Sequence, residues 1–201
     1  AVGLSVYGGW YGNKGHYVDV MVKGNKLDNE YTVYNDTKKY EVNGDYSTWG
    51  VSMSAEYGRR IDLKNGIYID PSVKFTLGRV QGKSYNANTT FYGGRQLELD
   101  QDGFTSAVGE FGLGIGKTFN TGMVYTKFAM AHEFSGDFTT TFAAEETKTT
   151  KVDFGDTWYE WQIGGSVKMN DTTHVYATYE QTFGGDTTED WRIDAGLRWT
   201  F

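Results

Sequence analysis

The sequence predicts an all-β fold, an antiparallel up-and-down transmembrane β-barrel with about nine strands in this chain. Three observations predict it. Apolar and polar residues alternate with a period of two along nearly every segment, the pattern of a sheet wetted on one face. The alternating segments outrun the ~5–6 residues usual in a globular strand and reach the ~9–11 that a tilted membrane strand needs. Tight connections alternate with long polar ones, while aromatic residues gather near strand ends.

In chain order, Gly3 to Tyr11 and His16 to Leu27 form the first two strands, joined at the turn former Asn13-Lys14-Gly15. In the third, Trp49, Val51, Met53, Ala55 and Tyr57 oppose Ser52, Ser54, Glu56 and Arg60. Lys64-Asn65-Gly66 turns the chain into a fourth, where Ile67, Ile69, Val73, Phe75 and Leu77 oppose Tyr68, Asp70, Ser72, Lys74 and Thr76. Pro71 interrupts that strand and brings no ladder donor, so a bulge or a loosened pairing is expected there. Phe111, Leu113, Ile115 and Phe119 face away from Glu110, Gly112, Gly114 and Gly116 in the fifth. After Asn120-Thr121-Gly122 comes Met123 to Phe134, with Val124, Phe128 and Met130 against Tyr125, Lys127 and Glu133. Tyr159, Trp161, Ile163, Val167 and Met169 oppose Glu160, Gln162, Ser166 and Lys168 in the seventh, which turns at Asn170-Asp171-Thr172 into Thr173 to Phe183. The ninth strand puts Trp191, Ile193, Ala195, Leu197, Trp199 and Phe201 on one face and Arg192, Asp194, Gly196, Arg198 and Thr200 on the other.

The long connections, roughly Asp28 to Asp45, Gln81 to Asp102 and Ser135 to Asp153, are polar and read as loops; residues 137–151 suit a flexible or hairpin loop. Short turns on one rim and long loops on the other match an outer-membrane barrel with its turns toward the periplasm. Trp10, Tyr17, Trp49, Phe119, Phe134, Trp158, Tyr159, Phe183, Trp191, Trp199 and Phe201 are placed for interfacial girdles, where rings with a polar edge sit at headgroup depth. A soluble sandwich would bury the oily rows instead, but long strands, alternating connections and terminal aromatics together favour the membrane.

At 201 residues and 38% hydrophobic composition, the chain suffices for one domain, 1–201. A mean hydropathy of −0.55 and the lack of any ~18–20-residue apolar run exclude a membrane-spanning helix. Aromatics at 16% exclude disorder. With no cysteine there is neither a disulfide scaffold nor a thiolate metal site. The net charge of −7 argues against a nucleic-acid partner. The opening AVGLSVYGGW lacks a basic start followed by an apolar core, so any targeting peptide is expected to be already removed.

The last residues put Gly196 before Trp199 and Phe201, and this pattern resembles the β-signal that the barrel assembly machinery (BAM complex) reads in bacterial outer-membrane proteins. The resemblance extends further. Residues 15–29, 55–80, 132–137, 156–171 and 179–201 are similar to the C-terminal translocator domain of monomeric (type V) autotransporters. That resemblance implies a twelve-stranded barrel in the bacterial outer membrane, with an N-terminal helix in its pore, that anchors and helps secrete an upstream passenger of the same polypeptide. Lipid bilayer, lipopolysaccharide, the BAM complex and the passenger are the implied partners. Starting on the loop side, nine strands correspond to the last nine of twelve, so the pore helix, the first strands and the passenger junction are expected to be missing here. An open sheet exposes two edges in lipid, which something must pair.

The polar rows place Asp19, Lys23, Glu56, Arg60, Glu110, Lys127, Glu160, Lys168, Glu180, Arg192, Asp194 and Arg198 as pore-lining residues, joined by Asp70 and Lys74. They read as a hydrated, mutually paired charge network. The sharper reading, also implied by the resemblance, is that lumen carboxylates cleave the passenger; no residue is assigned to that role, and the expectation is of no enzyme, no cofactor and no metal. His16, His132 and His174 lie on separate strands near their ends and read as rim residues. GLGIGKTF (112–119) lacks P-loop spacing and alternates as a strand, so Gly112, Gly114 and Gly116 read as lumen positions leaving room for a bulky pore occupant, as Gly164 and Gly165 would opposite large neighbours. Alternatives to a translocator are a standalone barrel acting as an adhesin or a rim-active hydrolase.

Overall fold

The computed structural model describes residues 1–90, 96–143, 147–185 and 190–199. Its strands are β1 (Val2–Tyr11), β2 (His16–Asn35), β3 (Tyr40–Arg59), β4 (Ile61–Asp62), β5 (Ile67–Val80), β6 (Lys83–Thr89), β7 (Gln96–Gln101), β8 (Phe104–Phe119), β9 (Gly122–Glu133), β10 (Asp137–Ala143), β11 (Thr147–Asp153), β12 (Thr157–Lys168), β13 (Thr173–Phe183) and β14 (Arg192–Trp199). Nine of them form one antiparallel meander, β1-β2-β3-β5-β8-β9-β12-β13-β14. All pairs are antiparallel, as two-residue and other short connections require. Among the described residues β1 pairs only with β2 and β14 only with β13, so the sheet is not closed.

The tight turns lie on one rim where the sequence puts them, at 12–15, 63–66, 120–121 and 169–172. Gly15 and Gly66 take the positive φ that those turns demand, 77° and 74°. Pro71 loosens the ladder as expected but makes no bulge. Gly58 pairs with Ser72 and Ile61 with Ile69, so the register carries through an interruption at Arg59 and Arg60. The Arg60 amide donates the other way, to Gly15 O at 2.8 Å, which leaves Arg59 facing the proline that has no N–H to return.

The three long connections are not loops. β2 and β3 pair continuously from His16↔Arg59 up to Asn35↔Tyr40, and β6–β7 and β10–β11 are hairpins that join through β10–β7. Together with the ends of β2 and β3, and joined to them through β3–β6, they extend the same sheet above the loop rim. Side-chain polarity is reversed there. In the lower wall, the face carrying Glu56, Lys74 and Glu110 is charged. Continued upward in register, that same face becomes Tyr31, Tyr46, Tyr85, Leu97, Leu99 and Phe142, while Asp28, Glu30, Glu98 and Asp100 turn outward. Ala87 and Leu99 are buried there.

Tyr46 stacks on Tyr85 at 4.5 Å, and the Tyr31 and Tyr85 hydroxyls meet at 3.0 Å. Burial, followed by the bond to Tyr31, holds the Tyr85 hydroxyl protonated well above the ordinary tyrosine range.

Candidate functional site

The register assigns each predicted site residue to a face. Directly opposed residues share a face. Asp19↔Glu56↔Lys74↔Glu110 therefore form one row across β2, β3, β5 and β8, while Lys127↔Gln162↔Glu180↔Arg192 form a second on the same face of β9, β12, β13 and β14, offset from the first because Glu110 pairs with Ala131 and Lys127 with Gly114. Lys127 Nζ lies 3.2 Å from Glu110 and 3.3 Å from Glu56, three strands away, and Lys74 Nζ is 3.1 Å from Glu110. Strands ~4.8 Å apart in a flat sheet would keep β3 and β9 ~14 Å apart, so the charged face is the one toward which the sheet curls. Glu160 accepts from Trp158 Nε1 at 2.9 Å, and Glu180 receives Arg192 at 3.1 Å. Glu56, Lys74, Glu110, Lys127, Glu160, Gln162, Glu180 and Arg192 line a cavity of about 290 Å³.

Other predicted residues share the face but not the cluster. Asp19 accepts from Tyr7 Oη at 2.6 Å, and Lys23 stands opposite Ser5 and Ser52. Arg60 lies over the Tyr68 ring at 3.8 Å and binds Asp62 at 2.9 Å. Lys168 binds Asp171 at 2.8 Å in the turn, where its ammonium holds the Asp171 carboxyl below the usual carboxylate range. Arg198 opposes His174, and Asp194 binds Arg192 at 3.0 Å. Among the described residues, one oxygen of Asp70 is buried without a partner, although Tyr17 Oη reaches the other at 3.4 Å. Gly196 opposes Tyr176, Trp199 is exposed on the outer face, and Phe201 lies outside the described residues.

Two assignments change. Tyr17 and Trp158 sit near strand ends but face inward: Tyr17 pairs with Gly58 and contacts Asp70, and Trp158 lines a pocket with Phe104, Glu133 and Phe154. Gly112, Gly114 and Gly116 leave no vacancy for a pore occupant, whereas Gly164 makes space for a large neighbour as expected. Tyr68 fills the space beside Gly116, Tyr125 that beside Gly164, the Lys127 stem that beside Gly112 and Asp70 that beside Gly114. Tyr17 over Gly58 and Tyr176 over Gly196 complete a series in which a tyrosine just after a tight turn lies across the glycine of the next strand. The sequence shows the signal, Tyr and Gly on polar rows, but only the register pairs them.

The opposite face is predominantly apolar, from Val18↔Tyr57↔Val73↔Phe111↔Met130 to Ile163↔Tyr179↔Ile193, with Thr126 and Gln181 as uncharged interruptions. On β3 it runs from Trp49 to Tyr57, about 27 Å along the strand and roughly 20 Å of depth at a tilt of ~40°, close to the ~25 Å apolar band of such barrels.

A strongly curled antiparallel wall, charged within and apolar without, with tight turns on one rim, is the wall of an outer-membrane β-barrel. The chain belongs to the autotransporter β-domain family, whose model (Autotransporter beta-domain) matches residues 1–180. It is similar to the pertactin autotransporter of Bordetella parapertussis, 27% identical over all of this chain and 21% of that protein. The BrkA autotransporter of Bordetella pertussis is also 27% identical, over 97% of this chain and 19% of its own length. The crystal structure of the BrkA β-domain superposes with a TM-score of 0.71 at 25% identity, covering 99% of this chain and 73% of that one. The chain thus spans about a fifth of the length of these relatives. The family places it in the bacterial outer membrane as a translocator and anchor domain.

Proposed function

We propose that strands outside this sequence complete the wall into a closed barrel, and that its charged face then lines the aqueous exit route of a passenger in the same polypeptide. The observation that carries this reading is the two-face division: the Glu56–Lys127–Glu110–Lys74 ladder on one side and rows such as Val18↔Tyr57↔Val73↔Phe111↔Met130 on the other. An unpaired edge in hydrocarbon costs several kcal/mol for each unsatisfied backbone group, so β1 and β14 require partners. Strand pairing and passenger folding outside the cell supply the driving force; the carboxylates engaged by Lys74, Lys127 and Arg192 serve as paired charges rather than as a hydrolytic centre. Gly196, Trp199 and Phe201 form the segment offered to the assembly machinery, with the bilayer and lipopolysaccharide as the surrounding partners.

The test uses the full-length protein assembled in outer membranes. Lys74→Cys and Glu160→Cys react with a water-soluble maleimide, whereas Phe75→Cys and Trp161→Cys, one residue on, stay protected by lipid. Equal or reversed labelling would remove the reading.

A further inference from the structure

Charge on the outer face is sparse and of one sign. Along the apolar rows of the described strands, from the level of Lys26 down to the turn rim, the charged residues are Lys26, Arg59, Arg79 and Lys117, with no carboxylate among them. Arg59 and Lys117 sit at the turn rim, Lys26 and Arg79 at the loop rim. Lys26 opposes Trp49 across β2 and β3, while Arg79 opposes Val51 across β3 and β5. Two strand spacings of ~4.8 Å and two residues of ~3.4 Å put the Lys26 and Arg79 Cα atoms roughly 12 Å apart, with Trp49 between them.

All three are available. Trp49 is 58% exposed. Arg79 is exposed and makes no ion pair among the described residues. Lys26 bonds Asp28 Oδ1 at 3.0 Å, which uses one of its three ammonium donors, and Ser47 Oγ donates to the same oxygen at 2.6 Å. Above this level the outward residues turn acidic, with Glu30 and Asp45, so an anion is favoured at the Lys26–Arg79 level and disfavoured higher. Below it, Val22, Val51, Met53 and Leu77 form an exposed apolar lane along three strands.

We propose that Lys26, Trp49 and Arg79 form a docking site for the phosphorylated disaccharide headgroup of the outer-leaflet glycolipid, its acyl chains lying in the lane below. The proposal rests on the outer face meeting lipid, as argued above. A guanidinium presents a fork to phosphate oxygens, an ammonium a point charge, and an indole suits headgroup depth. A disaccharide bearing a phosphate at each end spans the interval between the two cations.

The test is retention of lipid A by the full-length protein extracted from outer membranes, read by native mass spectrometry. Wild type keeps bisphosphorylated lipid A, and K26Q/R79Q keeps about tenfold less. R59Q/K117Q, on the opposite rim, behaves as wild type. Monophosphorylated lipid A is held more weakly than the bisphosphorylated form, and phosphatidylglycerol does not displace it. Heat-modifiable migration confirms assembly of each variant. R79K preserves charge without the fork, lowers retention, and serves if the double variant fails to assemble. Undiminished retention in K26Q/R79Q and R79K, or displacement by phosphatidylglycerol, overturns the site. Passenger display and the maleimide pattern report separately on the membrane reading, so the two failures are distinguishable.

Discussion

Tyr125 and Gly164 show at residue scale what a register adds to a sequence. Both are visible on polar rows, and Gly164 reads as space opposite a large neighbour without showing which one. The structure fills that space with the neighbouring strand's phenol, so the wall is locked internally along β9 and β12 rather than held open. Gly164→Val forces the ring out of a position it shares with the new side chain. Overpacking of this kind costs ~1–3 kcal/mol. The expected outcome is a lower temperature for loss of the heat-resistant band, partly restored in Gly164→Val/Tyr125→Ala; wild-type melting of Gly164→Val would show the contact to be dispensable. Arg60, by contrast, was legible as a polar-row residue, but its seat over Tyr68 was not, since the residues meet only because the strand pairing brings them together.

At the scale of elements, strand number and faces were readable because period-two alternation survives any loop error. The hairpins were not. Leu97 and Leu99 alternate with Glu98 and Asp100 as regularly as any wall strand, but the polar residues there point outward because water, not lipid, surrounds that part of the sheet. Composition alone therefore makes these polar stretches look like loops. The half-buried Tyr85 gives this upper region a pH limit. Its folded value is raised, so the stabilisation is present below the ~10 at which an unfolded tyrosine ionises and is lost as pH rises beyond it. Amide exchange in residues 83–89 should quicken above that pH while β5 and β8 stay protected. In Tyr85→Phe the pH-dependent step disappears; if it persists, another group controls the hairpin.

For the whole molecule, the decisive feature is that stability depends on edges. The chain buries little in the ordinary sense: Tyr68, Ala87, Leu99, Ala129 and Ala131 are the buried hydrophobic residues among those described, and most large apolar side chains are exposed. Lipid replaces the core, and backbone pairing replaces packing, so assembly rather than folding in water decides the outcome. β14 is then the strand with most at stake. It is apolar through Ile193, Ala195, Leu197 and Trp199 on its lipid side and open along one edge among the described residues. A carboxylate at Trp199 puts a charge on the lipid face near the turn rim, where the penalty is modest, ~0–1 kcal/mol. Lost stability alone would therefore leave Trp199→Asp in the membrane. If the terminal aromatics act as the recognition segment, Trp199→Asp and deletion of Phe201 both abolish assembly, while Leu197→Asp, deeper in the lipid and outside the Gly196–Trp199–Phe201 pattern, lowers thermal resistance more than yield. Immunoblots of outer-membrane fractions separate the two effects: normal amounts of folded Trp199→Asp protein would reduce those aromatics to ordinary girdle residues.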